Sequence, residues 1–237
     1  MSTLYVVATP IGNLSDTSQR ALDTLKSVDY ILCEDTRVSQ KMLARFDIKK
    51  PLIAYHQHSS LQRVNEILDL LKQNKSIALI SDAGTPGISD PGGKLVEAVI
   101  KEFGSVVKIE PIPGPSAITA IASVAGFAMD RFLFLGFAPI KNKRKQFFEE
   151  VLNSKYPVVF FESPYRILKT LNEIAKYRDV EISRCRDAEM SCVVGRELTK
   201  KFETIYRGTL PEVAKQIESD KVGGSIKGEF VIVVRSN

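Results

Sequence analysis

What most limits the fold of this sequence is a repeated alternation. A short aliphatic run is followed by a polar break rich in Gly, Pro, Asp or Thr, and then by a helical pattern. The runs LYVVA (residues 4–8), YILC (30–33), 52–55, IALI (77–80) and 106–109 fill the first half. FLFLGF (132–137), VVFF (158–161), β-like stretches around Ile182 and 203–206, and FVIVV (230–234) fill the second. Near-continuous Val/Ile/Leu strands separated by helices predict α/β architecture with parallel sheets covered on both faces. Helical spacing places Ala21, Leu22, Leu25 and Val28 on one face behind a cap at Asp16. Asp90-Pro91 reads as an N-cap followed by proline at the first helical position, starting a helix that runs to Ile100. Further helices are expected near 61–71, 143–152, 165–175 and 212–217.

A chain of 237 residues buries about 70% of its unfolded surface, so neither disulfides nor a structural metal are needed to hold it. The length suits one large domain or two smaller ones, and the proline-rich PIPGPS (111–116) is the best boundary, giving domains 1–112 and 113–237. The first domain holds 13 basic and 13 acidic residues, the second 20 and 15, so the whole net charge of +5 belongs to the second. KNKRK (141–145) and RELTKKFETIYR (196–207) carry much of that surplus, as RNA-facing segments or as solvated faces. Cys33, Cys185 and Cys192 form no CxxC pair and are odd in number, which fits reduced thiols in a cytoplasmic protein. MSTLYVVATP has no basic leader and turns at Pro10, so no signal peptide is expected. The 19 uncharged residues 111–129 open with Pro111, Pro113 and Pro115, and their helix-capable part is too short for the roughly 20 residues of a membrane span.

Ligands of open α/β sheets bind beyond the carboxyl ends of the strands. The segments found there are TPIGN (9–13), EDTR (34–37), HQH (56–58), SDAGTPGISDP (81–91) and PIPGPSA (111–117). Turn formation accounts for most of them, but two acids and a base without glycine in EDTR are not turn chemistry. No GxGxxG follows the first strand and no GxxxxGK[ST] occurs, which argues against a dinucleotide fold or a P-loop. No GxSxG supports a serine hydrolase. The glycines of the long loop let backbone approach a ligand closely, and Asp82 is able to accept hydrogen bonds from an amino group or a ribose, or simply to form an Asx-turn. His56 and His58 alternate without a third ligand at metal-binding spacing, so no metal is expected.

LYVVATPIGNLSD, ILCEDTR, IALISDAGTPGISDPG, PIPGPSA, FLGFAP, FFES, GRELTKKFE and GEFVIVV occur in that order. Together they resemble the tetrapyrrole methylase superfamily, the class III S-adenosylmethionine-dependent methyltransferases. Within it they are most similar to the branch that methylates the ribose 2′-oxygen of small-subunit ribosomal RNA. The similarity runs from about Leu4 to Val234. It implies two α/β domains with mixed, mostly parallel sheets, S-adenosyl-L-methionine in the cleft between them, a homodimer, no membrane, and a target cytidine in the decoding region of 16S rRNA. By position it assigns Asp82, Ala83, Gly84 and Thr85 to the cofactor loop, Pro10 and Ile11 to the loop after the first strand, Ser116 and Ala117 to a second cofactor contact, and Phe161 to the adenosine pocket. Many members of that branch carry a further helical segment beyond the last strand. This sequence stops at Asn237; if that segment helps grip RNA, the basic second domain is expected to manage alone or to bind RNA more weakly.

Methyl transfer from a sulfonium is an in-line displacement in which positive charge disappears, so alignment matters more than charge stabilisation. The ribose hydroxyl needs a proton acceptor, and Glu34, Asp35, His56 and Glu197 are the candidates. Arg37, Arg196 and Lys200 are able to clamp adjacent phosphates, and Lys143, Arg144 and Lys201 extend the basic surface. The alternative for Glu34–Arg37 and Glu197–Lys200 is ion pairing at turn spacing. Two rivals share these loops. A methylase of tetrapyrrole precursors would not need the basic second half, and a ribosome-assembly RNA-binding protein would carry a vestigial methylase site.

Overall fold

The structure is a computed structural model that describes residues 2–56, 59–182, 190–221 and 223–236. The chain divides into two compact units, residues 1–116 and 117–237.

The first unit alternates strand and helix throughout: β1 (Thr3–Val7), α1 (Gln19–Ser27), β2 (Tyr30–Cys33), α2 (Thr36–Ala44), β3 (Leu52–Ala54), α3 (Leu61–Lys72), β4 (Ile77–Leu79), α4 (Gly93–Phe103) and β5 (Lys108–Ile112). The strands form one sheet in the order β3-β2-β4-β1-β5, and every pairing in it is parallel. Side chains alternate between its faces and build two cores. Leu4, Leu32, Ile77 and Leu79 pack with Ile67, Leu71, Leu95 and Val99 from α3 and α4. Val7, Ile31, Cys33, Ala78 and Ile112 pack with Ala21, Leu25 and Leu43 from α1 and α2. This distribution follows from connection handedness: crossovers that step in opposite directions along a parallel sheet lay their helices on opposite faces. The reversal falls between β4 and β1, which are neighbours whose following helices cover opposite faces.

The second unit contains α5 (Ala117–Ser123), β6 (Leu133–Phe137), α6 (Arg144–Asn153), β7 (Val158–Glu162), α7 (Ile167–Ile182), β8 (Met190–Arg196), β9 (Thr204–Thr209), α8 (Leu210–Ser219) and β10 (Phe230–Ser236). Its sheet runs β6-β7-β10-β8-β9. Only β6 and β7 pair in parallel; β10 and β8 are joined to their neighbours antiparallel. One sheet is therefore all-parallel and the other mixed. Phe148, Phe160, Leu171, Val194 and Ile232 lie at the centre of its core. No helix among the described residues is long and apolar enough to cross a membrane, and α5, within the uncharged stretch, has only seven residues.

Three local expectations are corrected. Asp16 lies in a short 3-10 turn (Leu14–Asp16), and Ser18 caps α1 by accepting from the Ala21 N–H. Asp90 does not cap α4, which begins at Gly93 behind Gly92; the two extra loop residues turn the acid back towards the strand ends. The β-like run at Ile182 is the last turn of α7; β-branching lowers helix propensity only slightly, so it does not stop the helix. The strand that follows begins at Met190. Cys185 and His58 lie outside the described residues.

Candidate active site

All five strands of the first sheet end at one edge. The loops after β1 and β4 meet there at the direction reversal, the usual ligand position in such sheets. They are joined by backbone. Thr9 and Gly84 form an antiparallel bridge, the Thr9 N–H donating to Gly84 O at 2.8 Å and the Gly84 N–H to Thr9 O at 3.1 Å. The buried Thr9 hydroxyl donates to Ser81 O at 3.1 Å, and the Ser81 hydroxyl to Ala83 O at 3.2 Å. A chain of short polar side chains thus fixes the main chain of residues 81–84 against the loop after β1.

Glycine is needed at two of these positions. Gly84 has φ of +82°, and a β-carbon on it would touch Ile11 Cγ2 at 3.4 Å. A β-carbon on Gly92 would lie 3.1 Å from Gly87 N and 3.3 Å from Leu79 Cδ2. The loop therefore closes on its own backbone and presents Asp82 and Ala83 outward, both exposed, with Thr85 half-buried. Pro10 is buried, and Ile11 is half-buried with its Cγ2 towards Gly84. Ser116 ends the first unit and Ala117 opens α5, both half-buried. Phe161 lies on β7 of the second unit.

The electrostatics of this edge are dominated by like charges. Glu34 directly follows β2 and is half-buried. Burial first, and then Asp90 and Asp82, raise its carboxyl above the usual glutamate range, against a hydrogen bond from the Asp82 backbone. Asp90 is raised too, by burial and then by Asp82, with a hydrogen bond to Ser81 opposing. The sequence pattern assigned Asp90 to helix capping and so missed it here. The usable signal was a second acid in the loop that carries Asp82. Asp35 is the N-cap of α2, accepting from the Arg37 N–H at 2.8 Å, and its own N–H reaches Asp82 Oδ1 at 3.4 Å. Its carboxylate is thus committed to the helix, while Arg37 is exposed. His56 follows β3, exposed, its N–H donating to Ser59 Oγ at 2.9 Å. Among the described residues no cluster of His, Cys, Asp and Glu has metal-binding geometry.

The second unit treats its charged residues differently. Lys200 Nζ lies 3.0 Å from Glu197 and 2.8 Å from Glu229, and the Glu229 N–H donates to Glu197 Oε1 at 2.9 Å. Burial pushes Glu197 up, but Lys200, the Glu229 N–H and Arg196 outweigh it and hold the carboxyl low, which makes it a poor base. Arg196 donates to Lys227 O at 2.8 Å and to the Tyr206 hydroxyl at 3.4 Å, and its guanidinium lies over Phe230. These side chains tie the β8–β9 loop to the start of β10. Arg144 is likewise turned inward, its side chain only 11% exposed. It donates to Glu173, Pro139 O and Thr170 Oγ1 at 2.6–2.8 Å. Such a guanidinium is not available to phosphates, so the RNA-contact expectation for Arg144 is corrected: its neighbours on α7 supply the partners that a phosphate would. Lys143 and Lys201 are exposed, Lys201 lying beside the exposed Phe202 ring.

A profile of the Tetrapyrrole (Corrin/Porphyrin) Methylases matches residues 3–214. The chain belongs to the tetrapyrrole methylase family. Within the family it is 41% identical over 226 residues to a Thermotoga maritima protein called ribosomal RNA small subunit methyltransferase I, covering 95% of this chain and 96% of the relative. A Vibrio cholerae protein of the same name is 44% identical over 232 residues, covering 98% of this chain and 76% of the relative. Solved structures show the same tetrapyrrole methylase fold at low identity. Diphthine synthase superimposes with a TM-score of 0.69 at 14% identity, covering 99% of this chain and 90% of that one. Uroporphyrin-III-C-methyltransferase from Thermus thermophilus does so with 0.64 at 16%, covering 98% and 94%.

Proposed function

We propose that this protein is a cytoplasmic rRNA methyltransferase. It moves a methyl group from S-adenosyl-L-methionine to the ribose 2′-oxygen of a cytidine in the decoding region of 16S rRNA, within the small ribosomal subunit, and works as a homodimer. The observation that carries this reading is the 41% identity, over nearly the full length of both chains, to a protein named as a small-subunit rRNA methyltransferase. Likeness to the tetrapyrrole enzyme, at 16%, speaks to fold alone.

The first unit's edge suits such a donor. The donor is a zwitterionic nucleoside with ribose hydroxyls and an amino group, and the edge offers outward backbone groups, the space left by a missing β-carbon at Gly84 and the exposed Asp82 carboxylate. Asp82, Ala83, Gly84 and Thr85 would hold it, together with Pro10 and Ile11. Ser116, Ala117 and Phe161 join this set on the family resemblance. When bound, the donor supplies an electrophilic methyl whose transfer extinguishes a positive charge. The protein must therefore align groups and accept a proton from the ribose O2′. Glu34 is best fitted to accept it, because a carboxylate held above its usual range is the stronger base. Asp35 sets the start of the helix beside it, and His56 remains the second acceptor at that edge. Arg37, Lys143 and Lys201 are the exposed cations assigned to RNA phosphates. Arg196, Glu197 and Lys200 hold the loop that carries Lys201.

The test incubates the protein with radiolabelled methyl donor and, separately, undermethylated small subunits, free rRNA and a porphyrinoid. Label on the small subunits, mapped to a cytidine ribose, is expected. Label on the porphyrinoid alone overturns the reading, and donor binding with no transfer to any acceptor returns the vestigial-site alternative.

A further inference from the structure

The parallel pair β6–β7 carries a local irregularity with a chemical consequence. Phe134 is in register with Val159, yet Phe137 is in register with Phe161, so three steps on β6 span two on β7. The extra residue is accommodated at Gly136, whose φ of +65° few other residues adopt. In an unbroken strand, residues three apart face opposite sides of a sheet. The bulge restores them to one side. The rings of Phe134 and Phe137 both lie 5.2 Å from the Phe161 ring, one edge-on and one tilted. Phe137 remains 58% exposed. A bulge that re-aims an aromatic ring outward is a device found beside binding sites.

The surroundings say what the ring faces. The chain leaves Phe137 directly into the loop that holds Lys141 and Lys143, both exposed. That loop is fixed from below: Arg144 grips Pro139 O at 2.6 Å while bound to Glu173 and Thr170 on α7. Glu162, the residue after Phe161, is buried against Arg166 at 2.6 Å and accepts from Thr170 at 2.6 Å. Buried ion pairs thus anchor both strand ends, leaving an exposed ring backed by a second ring, with two exposed lysines four and six residues further along the chain. Aromatic faces beside cations are how proteins hold unpaired nucleotides, the ring stacking on a base and the cations meeting the phosphates.

We propose that Phe137, backed by Phe161, is a stacking platform for an unpaired base of the RNA substrate, with Lys141 and Lys143 meeting its phosphates. This rests on the rRNA-methylation reading and names one substrate contact within it.

The chain has no tryptophan, so Phe137→Trp installs a single indole reporter at the platform. A short unstructured RNA oligonucleotide should quench its emission, with or without saturating S-adenosyl-L-methionine. Phe137→Leu keeps apolar bulk but removes the π-face. It should raise KM for small subunits about tenfold, the range of one lost base–aromatic stack, and Phe137→Tyr should return that KM to the wild-type value. No quenching by the oligonucleotide, or an unaltered KM for subunits in Phe137→Leu, overturns the proposal. If the wild-type protein fails to methylate subunits, the functional reading fails, while the oligonucleotide titration of Phe137→Trp still decides the platform.

Discussion

Two glutamates, one in each unit, occupy equivalent places at the end of a parallel strand and opposite electrostatic surroundings. Glu162 closes β7 with a fully buried side chain. Arg166 lies at 2.6 Å, Thr170 and the Ser163 N–H donate to it, and Arg144 approaches at 4.0 Å. Glu34 follows β2, half-buried, and faces Asp82 and Asp90. The second unit sets its carboxyl against cations, whereas the first sets its own beside like charges. A compensated buried acid serves architecture, whereas one raised beside like charges is a candidate for a working site.

Removing the compensated acid should have the greatest effect on the fold. Glu162→Ala strands Arg166 without its counter-charge and leaves Thr170 without its acceptor, and removing one partner of a buried pair costs about 3–5 kcal/mol. Urea unfolding should show the midpoint falling accordingly. A loss under about 1 kcal/mol would mean that water or relaxation replaces the carboxylate and that the two glutamates differ less than their contacts imply.

Glu34→Gln should do the reverse, sparing the fold and impairing chemistry. Loss of a general base typically lowers the rate by about 10²-fold or more. A carboxyl whose folded pKa is raised favours the folded state below its unfolded value and loses that contribution as pH rises through the folded one. The neutral amide should therefore leave the protein slightly more stable at pH 7, a gain that fades once the pH falls below the ordinary glutamate range. The wild-type rate should decline as pH drops through the raised Glu34 value, and the variant's residual rate should lack that limb. A variant with unchanged turnover would move the base to His56. Gly84→Ala ranks next. It forces a side chain into the left-handed region, at about 1–2 kcal/mol, and fills the space beside Ile11. Calorimetry should show weaker binding of the methyl donor together with a lower Tm.

How far this contrast was legible in the sequence differs between the units. The first sheet could be read directly, because a parallel sheet buried on both faces writes itself as aliphatic runs and sends every loop to one edge. TPIGN, EDTR and SDAGTPGISDP were placed together on that argument alone. Asp90 was misread because Asp-Pro before a helical pattern is a strong capping signal, and only the tertiary approach of the loop to β2 overrides it. The second sheet was harder, since its mixed order joins strands distant in sequence and one of its β-like runs, at Ile182, is helical. Residue type also failed to separate Arg144 from Lys143. They are adjacent cations in one basic run, and only the partners on α7 distinguish the buried anchor from the exposed charge.

The smallest expected effect tests whether the second unit's loop belongs with the compensated charges. Lys200 bridges Glu197 and Glu229 with side chains 22–75% exposed, and exposed pairs of this kind are worth up to about 1 kcal/mol. Lys200→Met should therefore lower the Tm only slightly. Its pH dependence is the diagnostic. The carboxyl of Glu197 is held low in the folded state, so its stabilising contribution is present above the ordinary glutamate range and disappears as pH falls through the depressed value. The difference between wild type and Lys200→Met should be largest near neutrality and vanish in acid. RNA affinity should change less than it does in Lys143→Ala. If instead Lys200→Met leaves the melting profile untouched at every pH and weakens RNA binding more than Lys143→Ala, the β8–β9 loop is a phosphate clamp and its ion pairs are incidental. The division between architectural and working charges would then run through the second unit rather than between the two.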